Sequence, residues 1–436
     1  MSNKTRTLAD YCYVNPPKWL PEEITQKELV SFIPMSDVSE NGIWHVKQAR
    51  KLSEVDSGFT NFKNNDVLIA KITPCFENGK GALVNQLASD VGFGSTEFHI
   101  LRAKGHSEPR FIFHISQWKQ FRVAALKFMS GSAGQQRVSS EFFYKFPLEE
   151  FTKCEQEAIS DILDSLDLQI CETEAIIAKL QQVKQGLLHD LLTRGVDEND
   201  ELRSSYEDAP ELYKPSELGW IPKDWDVVSV GQEIKIKHGF AFDGSLFTAN
   251  PVGYPLLVPG NFHRDGKLYF TESNTKYYDG KYSDEYLLQP GDMVVVMTDL
   301  SPQTLILGRA AVLDKTEWLL HNQRIGKMEF LNEDEWNKNF FVENLSKEAT
   351  RREVIITATG TTVRHTSPDR IYDLDIAKPP KNEQIAIDEV IQDAWKRLDQ
   401  EAALLKKLQL KKSGLMDDLL TGKVRVTELL KQKQAS

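Results

Sequence analysis

The run Gly-Ser-Ala-Gly-Gln-Gln-Arg at 131–137 combines residue types suited to one kind of chemistry. Its glycines let a backbone approach a ligand closely. Gln135, Gln136 and Arg137 carry paired hydrogen-bonding groups that match adenine and guanine edges two bonds at a time. A second run, Thr-Ala-Thr-Gly-Thr-Thr-Val-Arg at 357–364, stands in the corresponding place later in the chain and draws on similar Gly, Thr and Arg chemistry. Each also reads as a plain polar surface turn. Bond-making chemistry is poorly represented. Cys12, Cys75, Cys154 and Cys171 show no C-x-x-C spacing, so neither a zinc site nor a disulfide framework is expected. There is no G-x-x-x-x-G-K-[ST] loop for a nucleoside triphosphate. Acid–lysine neighbours such as Asp66 and Lys71 are too common to define a nuclease. No cofactor and no metal is expected.

The elements that must position these runs are duplicated. Residues 155–193 and 383–421 match at a constant offset of 228, with Glu155-Gln156 against Glu383-Gln384 and Asp190-Leu191-Leu192-Thr193 against Asp418-Leu419-Leu420-Thr421. Stepping by four and three, the first copy places Ile159, Leu163, Leu166, Ile170, Ile177, Leu180, Leu187 and Leu191 on one stripe. The second places Ile387, Ile391, Ala394, Leu398, Leu405, Leu408, Leu415 and Leu419 there. Polar residues interrupt both stripes at the same steps, Thr173 and Lys184 in one and Glu401 and Lys412 in the other. A sustained 3.5-residue stripe is a coiled-coil seam, and each helix is a rod of roughly 58 Å. Two such helices are expected to pack on each other. An antiparallel pair creates an approximate two-fold axis and sends the domain attached to each helix start to opposite ends; parallel packing is not forbidden. Gly186 and Gly414 point to close helix approach or a local bend.

Each helix follows about 150 residues of short apolar runs broken by Gly, Pro, Asn and Ser, which read as strands and turns. These segments correspond as well: Asn64-Asn65-Asp66-Val67 with Pro290-Gly291-Asp292-Met293, and Gly81 with Gly308. The expected fold class is α+β: two strand-and-turn domains separated by two long helices that pair as a coiled coil, with internal two-fold pseudosymmetry. The organisation is domain 1–150, helix 151–196, acidic linker 197–217, domain 218–381, and helix with tail 382–436. The net charge is −11, and more than half of it falls in that linker, so the total neither supports nor excludes a nucleic-acid partner. No apolar run reaches the length of a membrane span, and the polar start carries no signal segment. A soluble protein of a reducing cytoplasm is expected.

At this point the chain resembles the specificity subunits of type I restriction–modification systems. The residues that carry the likeness are the Glu-Gln helix entries, the Gly-Leu-x-x-Asp-Leu-Leu-Thr exits, Lys71-Ile72-Thr73-Pro74 with Glu77-Asn78-Gly79-Lys80-Gly81, Gly92 through Phe98, Gly134-Gln135-Gln136-Arg137, and Leu218-Gly219-Trp220-Ile221-Pro222. The first domain lacks the Gly-Trp-Ile-Pro lead-in of the second. The resemblance implies two target recognition domains of mixed α/β structure, each reading one half of a bipartite double-stranded DNA sequence. It also implies that the helix pair is an antiparallel coiled coil, which sets their spacing and docks two copies of an adenine methyltransferase subunit, with restriction subunits in the full complex.

Base reading needs polar side chains on loops. Candidates in the first domain are Lys71, Thr73, Lys80, Ser95, Thr96, Gln135, Gln136 and Arg137. In the second they are Lys235, Lys237, His238, Thr298, Arg309, Asn322, Gln323, Arg324, Arg364 and His365. Arg309 also reads as a structural ion-pair partner, and some lysines would reach only phosphate. Two other readings stand beside this one. The first is a coiled-coil scaffold that binds protein and reads no DNA. The second is an adenine methyltransferase, on the strength of Asn15-Pro16-Pro17-Lys18. Lys18 stands where an aromatic should stack on the flipped base, and no glycine-rich cofactor loop precedes it.

Overall fold

The computed structural model describes residues 6–44, 48–132, 134–301, 303–313 and 318–427. The start of the first domain (1–5), Ala133 and the end of the tail (428–436) lie outside the described residues. Two compact units emerge, one of 1–177 with 401–436 and one of 178–400. Each therefore holds one α/β domain together with one half of each long helix.

Four helices matter below: α1 (Pro109–Gln117), α2 (Lys153–Leu191), α3 (Lys338–Ser346) and α4 (Lys381–Leu419). The long pair, α2 and α4, have 39 residues each and begin and end at the 228-residue offset.

In the first unit, four antiparallel strands, β1 (Cys12–Val14), β2 (Asp66–Ala70), β3 (Gly81–Leu83) and β4 (Phe98–Ala103), lie in the order β1-β4-β2-β3. Every residue of β2 is buried, which explains its unbroken apolar run. Asp66 at its start is paid for by a two-pronged bond from Arg102, at 2.8 and 2.7 Å. Phe111, Ile112 and Ile115 of α1 pack on this sheet. The same core takes in Ile159 and Leu163 of α2 with Met416 and Leu419 of α4 and Leu420 just beyond it. Lys412 meets Asp167, so residue numbers rise along α2 as they fall along α4. That is antiparallel packing.

The second unit repeats the plan. Strands β5 (Ile234–His238), β6 (Met293–Val296), β7 (Ala310–Val312) and β8 (Ile325–Phe330) lie in the order β5-β8-β6-β7, all antiparallel. Asp292 pairs with Lys327 at 2.8 Å where the first unit has Asp66 and Arg102. Leu187 and Leu191 of α2 pack with Ile387, Ile391 and Trp395 of α4, again antiparallel. Every residue on both stripes is buried or half-buried, including the polar steps Thr173, Lys184, Glu401 and Lys412. This is the expected α+β fold.

The 197–217 segment, expected as an acidic linker, is held by hydrogen bonds along its length. Arg203 donates to the carbonyls of Arg194 and Val196 at 2.8 and 2.9 Å, the Tyr213 hydroxyl donates to Ser204 O, and 213–216 pairs with 219–222. Its acidic residues stay outside while one arginine and one tyrosine anchor it. Gly186 and Gly414 make no close approach, since a Cβ on either would meet nothing within 4 Å. Strand pairing of β2 with β3 and of β6 with β7 aligns Gly308 with Gly79 rather than Gly81. Both have positive φ, 72° and 83°, the conformation that favours glycine.

Candidate nucleic-acid interface

In the first unit three loops meet beyond the end of β2. Lys71 N donates to Glu97 O at 2.7 Å, Thr73 N to Gln136 O at 2.9 Å, and Val138 N to Lys71 O at 3.0 Å. These backbone bonds hold the segment after β2, the turn before β4 and the 129–138 hairpin as one surface. Lys71, Thr73, Ser95, Thr96, Gln136 and Arg137 come together on it. Gln135 is exposed beside them at the hairpin, and Lys80 is tied to β2 by its carbonyl, which accepts from Ala70 N at 3.0 Å.

Several of these groups are already engaged. Thr73 Oγ1 accepts from Gln136 N at 3.1 Å, Ser95 Oγ accepts from Glu97 N at 3.2 Å, and Lys71 Nζ donates to Thr96 O at 2.8 Å. Burial lowers the Lys71 ammonium from its ordinary value, against the opposing pull of Glu97. Arg137 places its guanidinium fork on Glu97, with bonds of 3.0 and 2.9 Å, and this holds the Glu97 carboxyl below its usual range. The Arg137 fork is thus loaded with a carboxylate, and guanine would have to compete for it. Gln135 is exposed and Gln136 half-buried on this surface.

The second unit builds the same junction from different residues. Met297 N donates to Arg324 O at 2.9 Å and Thr366 N to Met297 O at 3.0 Å. Thr298 pairs with His365 and Asp299 with Arg364 along a short ladder, and Thr298 Oγ1 lies 3.0 Å from His365 Nδ1. Phe240 N donates to His321 O and Gln323 N to Phe240 O, which brings the end of β5 at His238 against Asn322, Gln323 and Arg324. Gln323, Arg324, His238 and His365 are exposed, whereas Asn322 is buried and its side chain accepts from Arg324 N at 3.0 Å. Arg364 turns its guanidinium inward to Ile355 O at 3.0 Å. Lys235 and Lys237 lie further back along β5, with Lys237 paired to Glu329 at 2.9 Å. Arg309 leaves the group altogether. Its guanidinium donates to Ser346 O at the end of α3, a backbone partner rather than the ion pair weighed from sequence.

Sequence reasoning missed the groups that stiffen these loops. Arg122 is buried and donates to Phe76 O at 2.8 Å; Arg351, also buried, donates to Leu307 O at 3.2 Å and Thr304 O at 3.0 Å. Each guanidinium braces the loop leading into the third strand of its sheet. Burial drives them down to about 9 and about 10. They stand at matched positions of the repeat, a signal that aligning the two halves residue by residue would have exposed. Asn15 was considered for catalysis, but its side chain accepts from Ile100 N at 3.0 Å and contacts His99, while Lys18 pairs with Asp56. That segment is a structural turn.

The helix entries also acquire a physical meaning. Gln156 Oε1 accepts from Glu108 N at 2.9 Å and Gln384 Oε1 from Asn337 N at 2.8 Å, so each glutamine satisfies a free amide at the head of α1 or α3. Glu155 binds Arg425 at 2.7 Å, and Glu383 binds Arg203, Trp225 and Val196 N. Each glutamate clamps the chain that emerges from the opposite long helix.

Residues 2–183 match the family model described as the type I restriction modification DNA specificity domain. Curated relatives include the Escherichia coli type I restriction enzyme EcoEI specificity subunit, 35% identical over 33% of this chain and 24% of the relative. The Methanocaldococcus jannaschii type I restriction enzyme MjaVIII specificity subunit is 26% identical over 71% of this chain and 69% of its own. The chain thus spans about a quarter of the length of the E. coli relative. Among solved structures, the type-I restriction-modification system S subunit from M. genitalium superposes with a TM-score of 0.56 at 14% identity, covering 96% of both chains. A chain from a structure of the type I R-M system gives 0.57 at 15% identity, covering 97% of this chain and 98% of that one. At these identities the likeness is one of fold.

Proposed function

We propose that the chain is a type I restriction–modification specificity subunit and that its two loop junctions each read one half of a bipartite DNA target. The observation that carries the proposal is the repeated junction. Lys71 N to Glu97 O and Met297 N to Arg324 O are the same backbone bond in two units, yet the side chains around them differ completely. A shared scaffold with divergent exposed polar groups is what two different half-sites require. The long helices set the spacing between half-sites and offer their outer faces to two methyltransferase subunits, through which restriction subunits join. The chain itself is a non-catalytic subunit working on DNA in the cytoplasm. Among the described residues no helix is long and apolar enough to cross a membrane.

Mixing the purified chain with its methyltransferase subunit tests this reading. Methyl transfer to a defined split sequence only when both are present supports it. Methylation by this chain alone refutes it, and a complete lack of DNA binding with or without partner would favour the scaffold reading.

A further inference from the structure

Both units hold a cavity of the same construction, where the end of α1 or α3 and a turn of the α/β domain face the paired long helices. In the first unit the cavity has about 450 Å³ and is lined by Glu40, Asp164, Asp167 and Glu174, with Lys119 and Lys412. In the second it has about 790 Å³ and is lined by Lys184, Arg264, Arg309 and Lys347, with Asp265, Glu343 and Glu348, the last paired with Arg351 at 3.3 Å. The positions correspond. Lys184 and Lys412 stand at the 228-residue offset, and Lys347 follows α3 as Trp118 follows α1, both helix heads being anchored to the matched glutamines. The duplicated cavity has changed its sign.

Lys184 and Arg309 of the second cavity feel Asp265, Glu343 and Glu348 only at longer range. Among the described residues, none of its four cations has a carboxylate within ion-pairing distance, whereas Lys412 in the first cavity is paired with Asp167. Arg309 spends one nitrogen on Ser346 O at 2.9 Å, and its Nε is buried with no hydrogen-bond partner. Lys347 reaches only the Leu192 carbonyl, at 3.5 Å. Burial lowers the Lys184, Arg309 and Lys347 side chains from their ordinary values, as expected of cations short of counter-charge. The acids nearby are occupied elsewhere. Asp265 accepts from His263 at 2.9 Å and from Lys267 N, and Glu343 accepts from the Trp395 indole at 3.2 Å, with burial raising its carboxyl toward neutrality. Half-buried and exposed cations that converge on one cavity without a carboxylate in ion-pairing distance favour an anion with several oxygens.

We propose that the cavity between α3 and the paired helices of the second unit binds a polyphosphate anion, held by Lys184, Arg264, Arg309 and Lys347, and that its counterpart in the first unit does not. The volume lies in the range of small-ligand pockets, roughly 300–1,000 Å³. The inference is independent of the DNA-reading proposal.

Calorimetric titration of the full chain with inorganic triphosphate, and separately with ATP, tests it at constant ionic strength. Trp395, stacked under Lys184, supplies a fluorescence readout. One saturable site is expected, weakened at least tenfold by Lys347→Gln and by Arg264→Gln. Arg264 is exposed, so its replacement leaves folding intact. Lys119→Gln in the first cavity should change nothing. ATP binding tenfold tighter than triphosphate would identify a nucleotide as the source, and equal affinity the phosphate chain alone. No saturable binding, equal loss with Lys119→Gln, or displacement by a short DNA duplex would each overturn the proposal.

Discussion

The ammonium of Lys184 lies 3.4 Å from the ring centroid of Trp395. Moved by the 228-residue offset, the same two positions are Lys412 and Asp167, which form an ion pair. One lysine step of the helix repeat is thus satisfied by an aromatic face in one unit and by a carboxylate in the other. Both solutions bury the lysine stem along the seam while serving its charged end. They differ in cost when broken. Trp395→Ala removes a buried indole and is expected to cost about 3–5 kcal/mol. Lys412→Met breaks a partly exposed pair and should cost about 1 kcal/mol or less. Urea unfolding followed in each unit measures both; equal losses would show that the seam treats the two pairs alike.

The glutamate clamps predict a matched pair of losses. Glu383 is 7% exposed and accepts from the Trp225 indole at 2.9 Å and Val196 N at 3.0 Å. Glu383→Ala strands those buried donors and should cost about 3–5 kcal/mol, and Glu155→Ala, which frees Arg425, should also destabilise. Proteolysis should show faster cleavage in 194–217 for the first variant and beyond 421 for the second. Unchanged cleavage in both would remove the clamp from the account.

Acid should loosen both units through one buried histidine in each. His99 and His321 are buried, and burial holds each ring down to about 4, below the ordinary 6.5. A group whose folded pKa is depressed is protonated first in the unfolded chain. Its stabilisation is therefore full above about pH 6.5 and is lost as pH falls toward 4, by up to about 3 kcal/mol per histidine. The double variant His99→Asn with His321→Asn should flatten the stability profile between pH 6.5 and 4. A profile as steep as the parent's would assign the acid sensitivity to other groups.

Glu97 is expected to tune the first reader. Its carboxylate holds Arg137 and opposes phosphate, so Glu97→Gln should tighten binding to DNA of any sequence. The slope of log affinity against log salt should steepen by about one. Gln136→Ala should instead weaken recognition in one half of the target only. If Glu97→Gln leaves the salt slope unchanged, Arg137 does not approach DNA.

Exchange of residues 1–150 for the first domain of another family member should alter one half of the recognised sequence and preserve the other. Methylome sequencing reads the outcome directly, and changes in both halves would refute two independent readers.

The helix pair was legible in the sequence because apolar periodicity is a local property. The stripe from Ile159 to Leu191 and its copy from Ile387 to Leu419 specify which face must be covered, whatever covers it. The repeat likewise announced two related domains, and the strand order β1-β4-β2-β3 recurring as β5-β8-β6-β7 is that duplication in space. Tertiary structure decided what local pattern cannot carry. Arg137 and Arg309 both stood among the candidate base readers, yet one meets Glu97, 40 residues away, and the other meets the end of α3. Arg122 and Arg351 were invisible because their partners are backbone carbonyls, which every sequence has and only a fold brings together. A side chain's type determines which bonds it can make; the long-range contacts that determine which of them it does make exist only once the chain has folded.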